Sequence, residues 1–156
     1  MSREQTLELS WIIPSALIPI ALLGLLLYAY VTHGIHVPGQ EGMIDPRAIS
    51  QIAPFNAPGV VQTGPGTYQA TIVGKMWTFE PKEIRVKAGA EVTFVASSAD
   101  VIHGMRIQGT NVNIMLLPGQ ISRKTARFVK PGEYLLICHE YCGIGHHLMS
   151  GKVIVE

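Results

Sequence analysis

The chain is 156 residues long, with 47% hydrophobic and 15% charged residues and a formal net charge of +1 at pH 7. This length accommodates one domain plus a short additional segment, and it leaves no room for a second large domain. The balanced charge excludes the strongly basic surface that nucleic-acid binding requires, so we expect no nucleic-acid partner.

The hydrophobic residues are concentrated near the N-terminus. No Asp, Glu, Lys or Arg occurs in residues 9–40. The stretch 11–31 would be about 31 Å long as a helix, close to the roughly 30 Å hydrocarbon core of a bilayer. Trp11 at one end and Tyr28 at the other are typical of the aromatic belts at membrane surfaces. We therefore predict an N-terminal tail and one transmembrane α-helix within residues 1–32.

The charges around this segment indicate whether it is cleaved as a signal peptide and how it is oriented in the membrane. A cleaved signal peptide would have a positive N-terminal region, whereas here Arg3 is offset by Glu4 and Glu8. Arg3 lies just before the helix, and the next basic residue, Arg47, lies well beyond it. The bias of basic residues toward the cytoplasmic side therefore favours a retained single-pass anchor, with the N-terminus inside and the C-terminal domain outside.

Residues 33–66 are rich in glycine and proline, which favours irregular structure. We predict a linker here that lies over a partner or the membrane surface, with one helical turn after Pro46. His33 and His36 fall near its start, and we expect them at the membrane surface without a metal.

Residues 67–156 alternate short strand patterns with turns that contain glycine and proline, and almost no helix is predicted. Arg123, Thr125 and Arg127 occupy every second position of one predicted strand. They would therefore share one face of that strand, which we expect to be exposed to solvent. The seven predicted strands are residues 68–73, 83–86, 91–96, 105–108, 121–128, 133–138 and 152–155. A mainly β domain of this kind is typical of a Greek-key β-sandwich.

A compact group of metal-binding side chains lies near the C-terminus. The loop contains Cys138, Cys142, His146 and Met149, and His103 is available from an earlier strand end. Thiolates, imidazoles and a thioether favour copper over magnesium or calcium, which prefer oxygen ligands. A mononuclear copper site with two His, one Cys and one Met would leave Cys138 unused, whereas two ions bridged by both thiolates would use every donor.

Three other uses of these residues remain open from the motif alone. The two cysteines with His103 and His146 could form a tetrahedral zinc site, which would leave Met149 idle. A disulfide between Cys138 and Cys142 would persist outside the cytoplasm, but it would not explain the histidines and the methionine. A redox-active Cys-x-x-x-Cys pair would open a helix in a βαβ setting, which this part of the sequence does not predict.

The motif Cys-x-Glu-x-Cys-Gly-x-x-His-x-x-Met, together with the preceding segment Asp-Val-Ile-His-Gly, resembles the binuclear CuA site of cytochrome c oxidase subunit II. The resemblance covers residues 67–156 by motif, and it implies a cupredoxin-like fold with no catalytic side chain in this chain. The implied ligands are Cys138 and Cys142 as bridges between two copper ions, His103 and His146 on one ion each, Met149 as a weak axial ligand, and Glu140 through its main-chain carbonyl.

The single predicted anchor resembles the B-family (cytochrome ba3-type) haem–copper oxidases. This resemblance implies the electron-transfer subunit of a proton-translocating terminal oxidase. Electrons would come from a c-type cytochrome and pass to haem in subunit I, where oxygen is reduced to water. It also implies a prokaryotic cell inner membrane, with the C-terminal domain on the periplasmic side. The alternative is a free-standing, membrane-anchored copper carrier or electron shuttle, which would need no large partner.

Two further residues acquire expected roles from the resemblance. Trp77 precedes a predicted strand, where family members place an aromatic residue over the copper site, so it is expected to receive the electron from the cytochrome; a buried core position is the alternative. The Glu140 side chain could reach a magnesium or manganese ion at the boundary with subunit I, because such ions require oxygen ligands. His139 and His147 lie off the motif positions, and we expect them to face solvent or to surround the site.

Overall fold

The structure is a computed structural model that describes residues 2–33 and 41–156. The chain divides into two compact units, Met1–Ile35 and His36–Glu156. The expectations for His36 and for the side chain of His33 lie outside the described residues.

The N-terminal unit contains one long helix, α1 (Arg3–His33). A capping box starts it: the Ser2 hydroxyl accepts from the Gln5 N–H at 3.2 Å, and the Gln5 side chain accepts from the Ser2 N–H at 2.8 Å. Inside the helix, the Ser15 hydroxyl donates to a carbonyl one turn earlier, so it needs no partner from an apolar solvent. Within the described part of the chain, Arg3–Thr32 is the one helix long and apolar enough to cross a membrane, as predicted.

The C-terminal unit is a sandwich of two five-stranded sheets. The first sheet has the order β1 (Gly59–Gly64), β2 (Thr67–Lys75), β5 (Ala90–Ser98) and β8 (Ser122–Phe128), with β3 (Thr78–Glu80) paired to β2. The second has the order β4 (Glu83–Val86), β10 (Ser150–Val155), β9 (Gly132–Ile137), β6 (His103–Ile107) and β7 (Asn113–Leu116). Strand β5 pairs with β2 in parallel and with β8 antiparallel. The predicted mainly β sandwich is therefore confirmed.

The main core lies between the sheets and follows from side-chain alternation along the strands. In β5, Val92, Phe94 and Ala96 are buried in this core, and the Phe94 ring meets the Phe128 ring edge to face with centroids 6.2 Å apart. Strand β8 alternates in the same way. Its residues Arg123, Thr125 and Arg127 are exposed on one face, as predicted, while their neighbours Ser122, Ala126 and Phe128 are buried.

The segment before the sandwich differs from the predicted linker. It contains the expected helical turn, η1 (Pro46–Gln51), and also two buried side chains, Ile49 and Phe55. These pack with Val73 and Val95 into a second, smaller core on the other face of the first sheet. The composition favoured a linker because the segment is rich in glycine and proline, but the apolar surface that it covers forms only when two distant strands pair.

Three strands were not predicted. Strand β1 lies inside the range assigned to the linker, and β3 and β7 are only 3 and 4 residues long. Such short strands are held by pairing with a neighbour, so their own sequence carries little periodic signal.

Candidate metal centre

The candidate ligands come from two neighbouring strand ends and one loop. His103 is the first residue of β6, and Cys138 directly follows β9. Because β6 and β9 are antiparallel neighbours, the long sequence gap between these residues closes in space. One ligand atom from each of His103, Cys138 and Cys142 lies within 4.8 Å of the others, and all three residues are buried.

The Cys138 thiol has one imidazole and one carbonyl beside it. Its Sγ lies 3.9 Å from His103 Nδ1 and 3.2 Å from the main-chain oxygen of Glu140. The nitrogen that faces the sulfur is the Nδ1 atom, which leaves Nε2 pointing away from the site.

The Cys142 thiol has a matching pair of neighbours. Its Sγ lies 3.5 Å from His146 Nδ1 and 3.7 Å from Met149 Sδ. A short turn, η2 (His146–Leu148), places His146 and Met149 on the same side of the loop. The two sulfur atoms, Cys138 Sγ and Cys142 Sγ, are 3.8 Å apart. Each thiol therefore has one imidazole and one weaker donor, with the two sulfurs adjacent at the centre.

This geometry bears on the alternatives that the motif left open. A disulfide needs sulfur atoms about 2.05 Å apart, and both cysteines are free thiols here. The pair lies in the connection between β9 and β10, not at the start of a helix in a βαβ unit. A closed tetrahedral zinc site would give no role to Met149 Sδ, although that atom lies beside a thiol. The donor set, with its two sulfurs, two imidazoles and a thioether, fits copper best.

Burial controls the protonation of the Cys142 thiol. It raises the pKa of Cys142 to about 11, with a smaller contribution in the same direction from the neighbouring Cys138. In the metal-free protein at neutral pH the Cys142 thiol is therefore protonated. Because a thiolate is the form that binds a metal, metal binding at this site must release protons.

Asp100 orients His103 from behind. Its Oδ1 lies 2.8 Å from His103 Nε2, the ring nitrogen that points away from the thiols. Burial works to raise the pKa of the Asp100 carboxyl, but hydrogen bonds from the Met76 N–H, from His103 and from the Val101 N–H together hold it below its ordinary value. No role was predicted for Asp100 from the sequence; its position three residues before His103, a candidate ligand, was the available signal.

Trp77 lies over the ligand loop. Its indole N–H donates to the Cys142 carbonyl at 3.1 Å, which joins the ring to the chain of a ligand residue. A Cβ atom at Gly145 would clash with the indole ring, and a Cβ at Gly143 would lie 3.1 Å from its nitrogen. The residue is 41% exposed, so it is not a core tryptophan. The ring thus connects the protein surface with the Cys142 backbone.

The other histidines of the loop do not join the ligand cluster. His147 is exposed, as expected. The His139 ring packs so closely on Gly104 that a Cβ there would overlap it, and its Nδ1 lies 3.4 Å from Glu140 Oε1. The Glu140 carboxylate is therefore near an imidazole and partly open to solvent.

Comparison with known proteins agrees with this site. The family described as "Cytochrome C oxidase subunit II, periplasmic domain" matches residues 74–156. A cytochrome c oxidase subunit 2 of Thermus thermophilus is 37% identical over 153 residues, which is 96% of this chain and 91% of that relative. The chain belongs to the cytochrome c oxidase subunit II family. The expected affiliation with its single-anchor, ba3-type members is thereby confirmed.

Other relatives of this subunit II family support the same assignment. A second subunit 2 sequence from Thermus thermophilus is 40% identical over 133 residues, which is 83% of this chain and 98% of the relative. A chain from the cryo-EM structure of a haem–copper terminal oxidase dimer superposes with a TM-score of 0.75 at 33% identity, covering 96% of this chain and 99% of that one.

A more distant structure supports the fold alone. The periplasmic domain of subunit II from Bradyrhizobium japonicum superposes with a TM-score of 0.53 at 21% identity, covering 56% of this chain and 83% of that one. The expected cupredoxin-like sandwich with an N-terminal helix is therefore confirmed.

Proposed function

We propose that this chain is the electron-transfer subunit of a haem–copper terminal oxidase and that its loop holds a binuclear copper centre of the CuA type. The observation that carries the proposal is the paired arrangement of donors around two adjacent thiols. Each thiol faces one imidazole Nδ1, at 3.9 Å and 3.5 Å, and one weaker donor. When bound, a copper pair supplies one-electron chemistry with the charge shared over two ions.

The protein contributes a rigid set of ligands. Cys138 and Cys142 would bridge the two ions, with His103 and His146 on one ion each and Met149 and the Glu140 carbonyl as weak ligands. Cys138, Cys142, His103 and Met149 are all buried, so water is largely excluded from their side of the site. Ligands held by strand ends and packing move little when the charge changes, which keeps the reorganisation small.

Metal analysis of the full chain tests the binuclear centre. We expect two coppers per chain, no zinc, and an EPR spectrum in which the unpaired electron is shared by both ions. His146→Ala should disrupt this spectrum, and His147→Ala is the matched control because the adjacent, exposed histidine lies outside the ligand cluster. One copper per chain with an ordinary mononuclear spectrum would refute the proposal.

An exposed apolar surface supports a c-type cytochrome as the electron donor. Around Trp77, the side chains of Met76, Tyr141, Ile144 and Leu148 are 50%, 79%, 85% and 71% exposed. They belong to the β2–β3 connection and to the ligand loop, the two segments joined by the indole hydrogen bond. A donor that covers this surface would bring its haem edge near Trp77, which would pass the electron to the Cys142 backbone. Haem in subunit I is the proposed acceptor.

The placement of the chain in the membrane follows from the same proposal. Residues 1–32 would form the tail and the single-pass helix in a prokaryotic inner membrane, and residues 67–156 would form the copper domain on the periplasmic side. Residues 33–66 connect them, and their described part also packs onto the domain. The similarity to oxidase subunits over nearly the whole chain favours this over a free-standing copper carrier. Co-purification with a haem-containing subunit tests that choice.

We also propose a magnesium or manganese ion near the Glu140 side chain, at the boundary with subunit I. The Glu140 side chain is 45% exposed, and its carboxylate offers the oxygen donors that such an ion requires. In the whole oxidase, Glu140→Gln should lower the content of bound manganese while leaving the copper spectrum intact. If the content of bound manganese stays the same, the Glu140 carboxylate holds no ion and contacts only His139.

A further inference from the structure

Asp100 holds two parts of the molecule at once. Besides contacting His103 Nε2 through Oδ1, its carboxylate accepts from the Met76 N–H through Oδ2 at 2.7 Å. Oδ1 also accepts from the Val101 N–H at 2.6 Å. Asp100 lies in the turn between β5 and β6, whereas Met76 lies in the connection between β2 and β3. One carboxylate therefore ties the candidate ligand His103 to the residue that precedes Trp77.

The contact with His103 determines which ring nitrogen carries the proton. Nδ1 faces Cys138 Sγ, and Nε2 faces an oxygen of the Asp100 carboxylate. An ionised carboxylate can accept a hydrogen bond but cannot donate one. The hydrogen bond therefore requires a proton on Nε2 and leaves Nδ1 free to bind a metal. Donating such a hydrogen bond to a carboxylate also makes an imidazole a stronger metal ligand.

The second histidine is held differently. His146 lies in the loop beside the Tyr141 ring, with centroids 5.9 Å apart, and is half-buried. Among the residues that the structure describes, no carboxylate oxygen forms an ion pair with it. The two imidazoles would therefore bind with unequal strength.

The contact with Met76 extends the connection to the surface. Met76 is followed by Trp77, whose indole N–H donates to the Cys142 carbonyl. The contacts thus run without a break from His103 through Asp100 and the 76–77 segment to Cys142. The Asp100 carboxylate is therefore connected to both thiol neighbourhoods. It contacts His103, which lies beside Cys138, and through the 76–77 segment it is linked to the Cys142 backbone.

We propose that Asp100 is a positioning residue for electron transfer, which fixes the His103 ring for copper and holds the Met76–Trp77 segment in register with the site. The inference rests on the proposed copper centre. A stronger His103 ligand stabilises the oxidised ion, so Asp100 lowers the reduction potential of the centre. By holding the 76–77 segment, it also maintains the Trp77–Cys142 hydrogen bond along which the electron would travel.

Asparagine cannot replace this carboxylate. The aspartate offers one acceptor oxygen on each side, Oδ2 to the Met76 N–H and Oδ1 to the N–H groups of His103 and Val101. An amide has one oxygen, and its NH₂ group would face the donors on the other side. Asp100→Asn therefore loses the contacts on one side, whichever way the amide is turned.

The test uses the full chain in detergent, loaded with copper. Compared with the unchanged chain, Asp100→Asn should have a higher reduction potential, altered histidine couplings in the EPR spectrum and about tenfold weaker copper binding. Glu80→Gln is the matched control: it removes the same charge three residues after Trp77 in the sequence, but its carboxylate contacts Lys75 at 2.7 Å. It should retain the potential and the spectrum of the unchanged chain.

The outcomes separate the two proposals. An unchanged chain that fails to bind two coppers would overturn the copper centre and this inference with it. If the unchanged chain binds two coppers and Asp100→Asn keeps the same potential, spectrum and affinity, only the role of Asp100 is refuted. Equal shifts in Glu80→Gln would also refute it, because a general charge effect would then suffice.

If Asp100→Asn does not fold, a measurement on the unchanged chain still tests the proposal. In the metal-free protein, ¹⁵N NMR should find the His103 proton on Nε2, with slow exchange and the strongly shifted signal of a hydrogen bond to a carboxylate. A proton on Nδ1, or an Nε2 proton that exchanges rapidly, would contradict the proposal without any substitution.

Discussion

The two halves of the site are built in different ways. His103 belongs to a strand of the second sheet, is fully buried, and has a carboxylate behind it. His146 belongs to a loop between two strands, is half-buried, and has an aromatic ring beside it. Yet each imidazole presents its Nδ1 atom to one of two adjacent thiols. A nearly symmetric set of donors is thus assembled from one half that belongs to a strand and one half that belongs to a loop.

The difference assigns separate tasks to the two halves. The strand half positions its ligand through the sheet and Asp100, so it sets the geometry before a metal arrives. The loop half lies under Trp77 and is surrounded by exposed apolar side chains, so it is the half that a partner can contact. Substitutions in either half can test this division of tasks.

The largest effect is expected where the two halves meet. Cys138→Ser and Cys142→Ser should each abolish the shared-electron EPR spectrum, because both thiols would be needed as bridges. The two variants should be equally damaging although Cys138 belongs to the strand half and Cys142 to the loop half. A variant that kept the binuclear spectrum would show that its thiol is not a bridge.

Trp77→Ala tests the surface side of the loop half. We expect the reduction of the copper centre by a c-type cytochrome to slow by about tenfold or more, which corresponds to a barrier about 1.4 kcal/mol higher. The copper spectrum should change little, because Trp77 contributes no ligand. Trp77→Phe, which keeps a ring but loses the indole N–H, separates ring stacking from the hydrogen bond to the Cys142 carbonyl. Unchanged kinetics in both variants would rule Trp77 out.

Glycine substitutions compare how tightly each half is packed. Gly145→Ala should displace the Trp77 ring from the loop and slow its electron transfer, because the added Cβ clashes with the indole. Gly104→Ala meets the His139 ring instead, a partly exposed side chain with no place in the ligand set. We expect Gly104→Ala to lower the melting temperature by a few degrees without a change in electron-transfer rate. If electron transfer were equally fast in Gly145→Ala and Gly104→Ala, the predicted difference between the two positions would be wrong.

The buried Cys142 thiol makes the metal-free protein sensitive to alkaline pH. The pKa of Cys142 is raised from 9.0 to about 11 in the folded state, so the unfolded state loses its proton first. The stability contributed by the protonated Cys142 thiol is complete below pH 9 and is lost as the pH rises to about 11, with a total of about 3 kcal/mol. Urea titrations of the metal-free chain should detect this loss, and Cys142→Ser should reduce it. A stability that is flat over this range would refute the raised pKa.

The smallest effect is expected from salt. From residue 41 onward the chain has eleven Lys and Arg against nine Asp and Glu, a net charge of +2, so it has no acidic excess to attract a basic cytochrome. Reduction by the cytochrome should therefore depend only mildly on ionic strength, as an apolar contact around Trp77 implies. A steep loss of rate with added salt would instead indicate a local charged patch.

Much of this molecule could be predicted from short-range patterns. The apolar stretch at the N-terminus predicted the helix because a membrane span depends on length and composition alone. The spacing of Cys138, Cys142, His146 and Met149 predicted most of the site, since these residues share one loop and their separation in sequence limits their separation in space. The alternation around Thr125 predicted the exposed face of β8 for the same local reason.

Only the tertiary structure decided the remainder. The approach of His103 to Cys138 depends on the pairing of β6 with β9, and the contact of Trp77 with Cys142 joins residues 65 positions apart. The packing of Ile49 and Phe55 on the first sheet, where a linker was predicted, likewise requires strands to pair first. Asp100 was visible in the sequence, but its double contact with Met76 and His103 was not. Local patterns record which residues are available, whereas contacts between distant residues arise only when the sheets form.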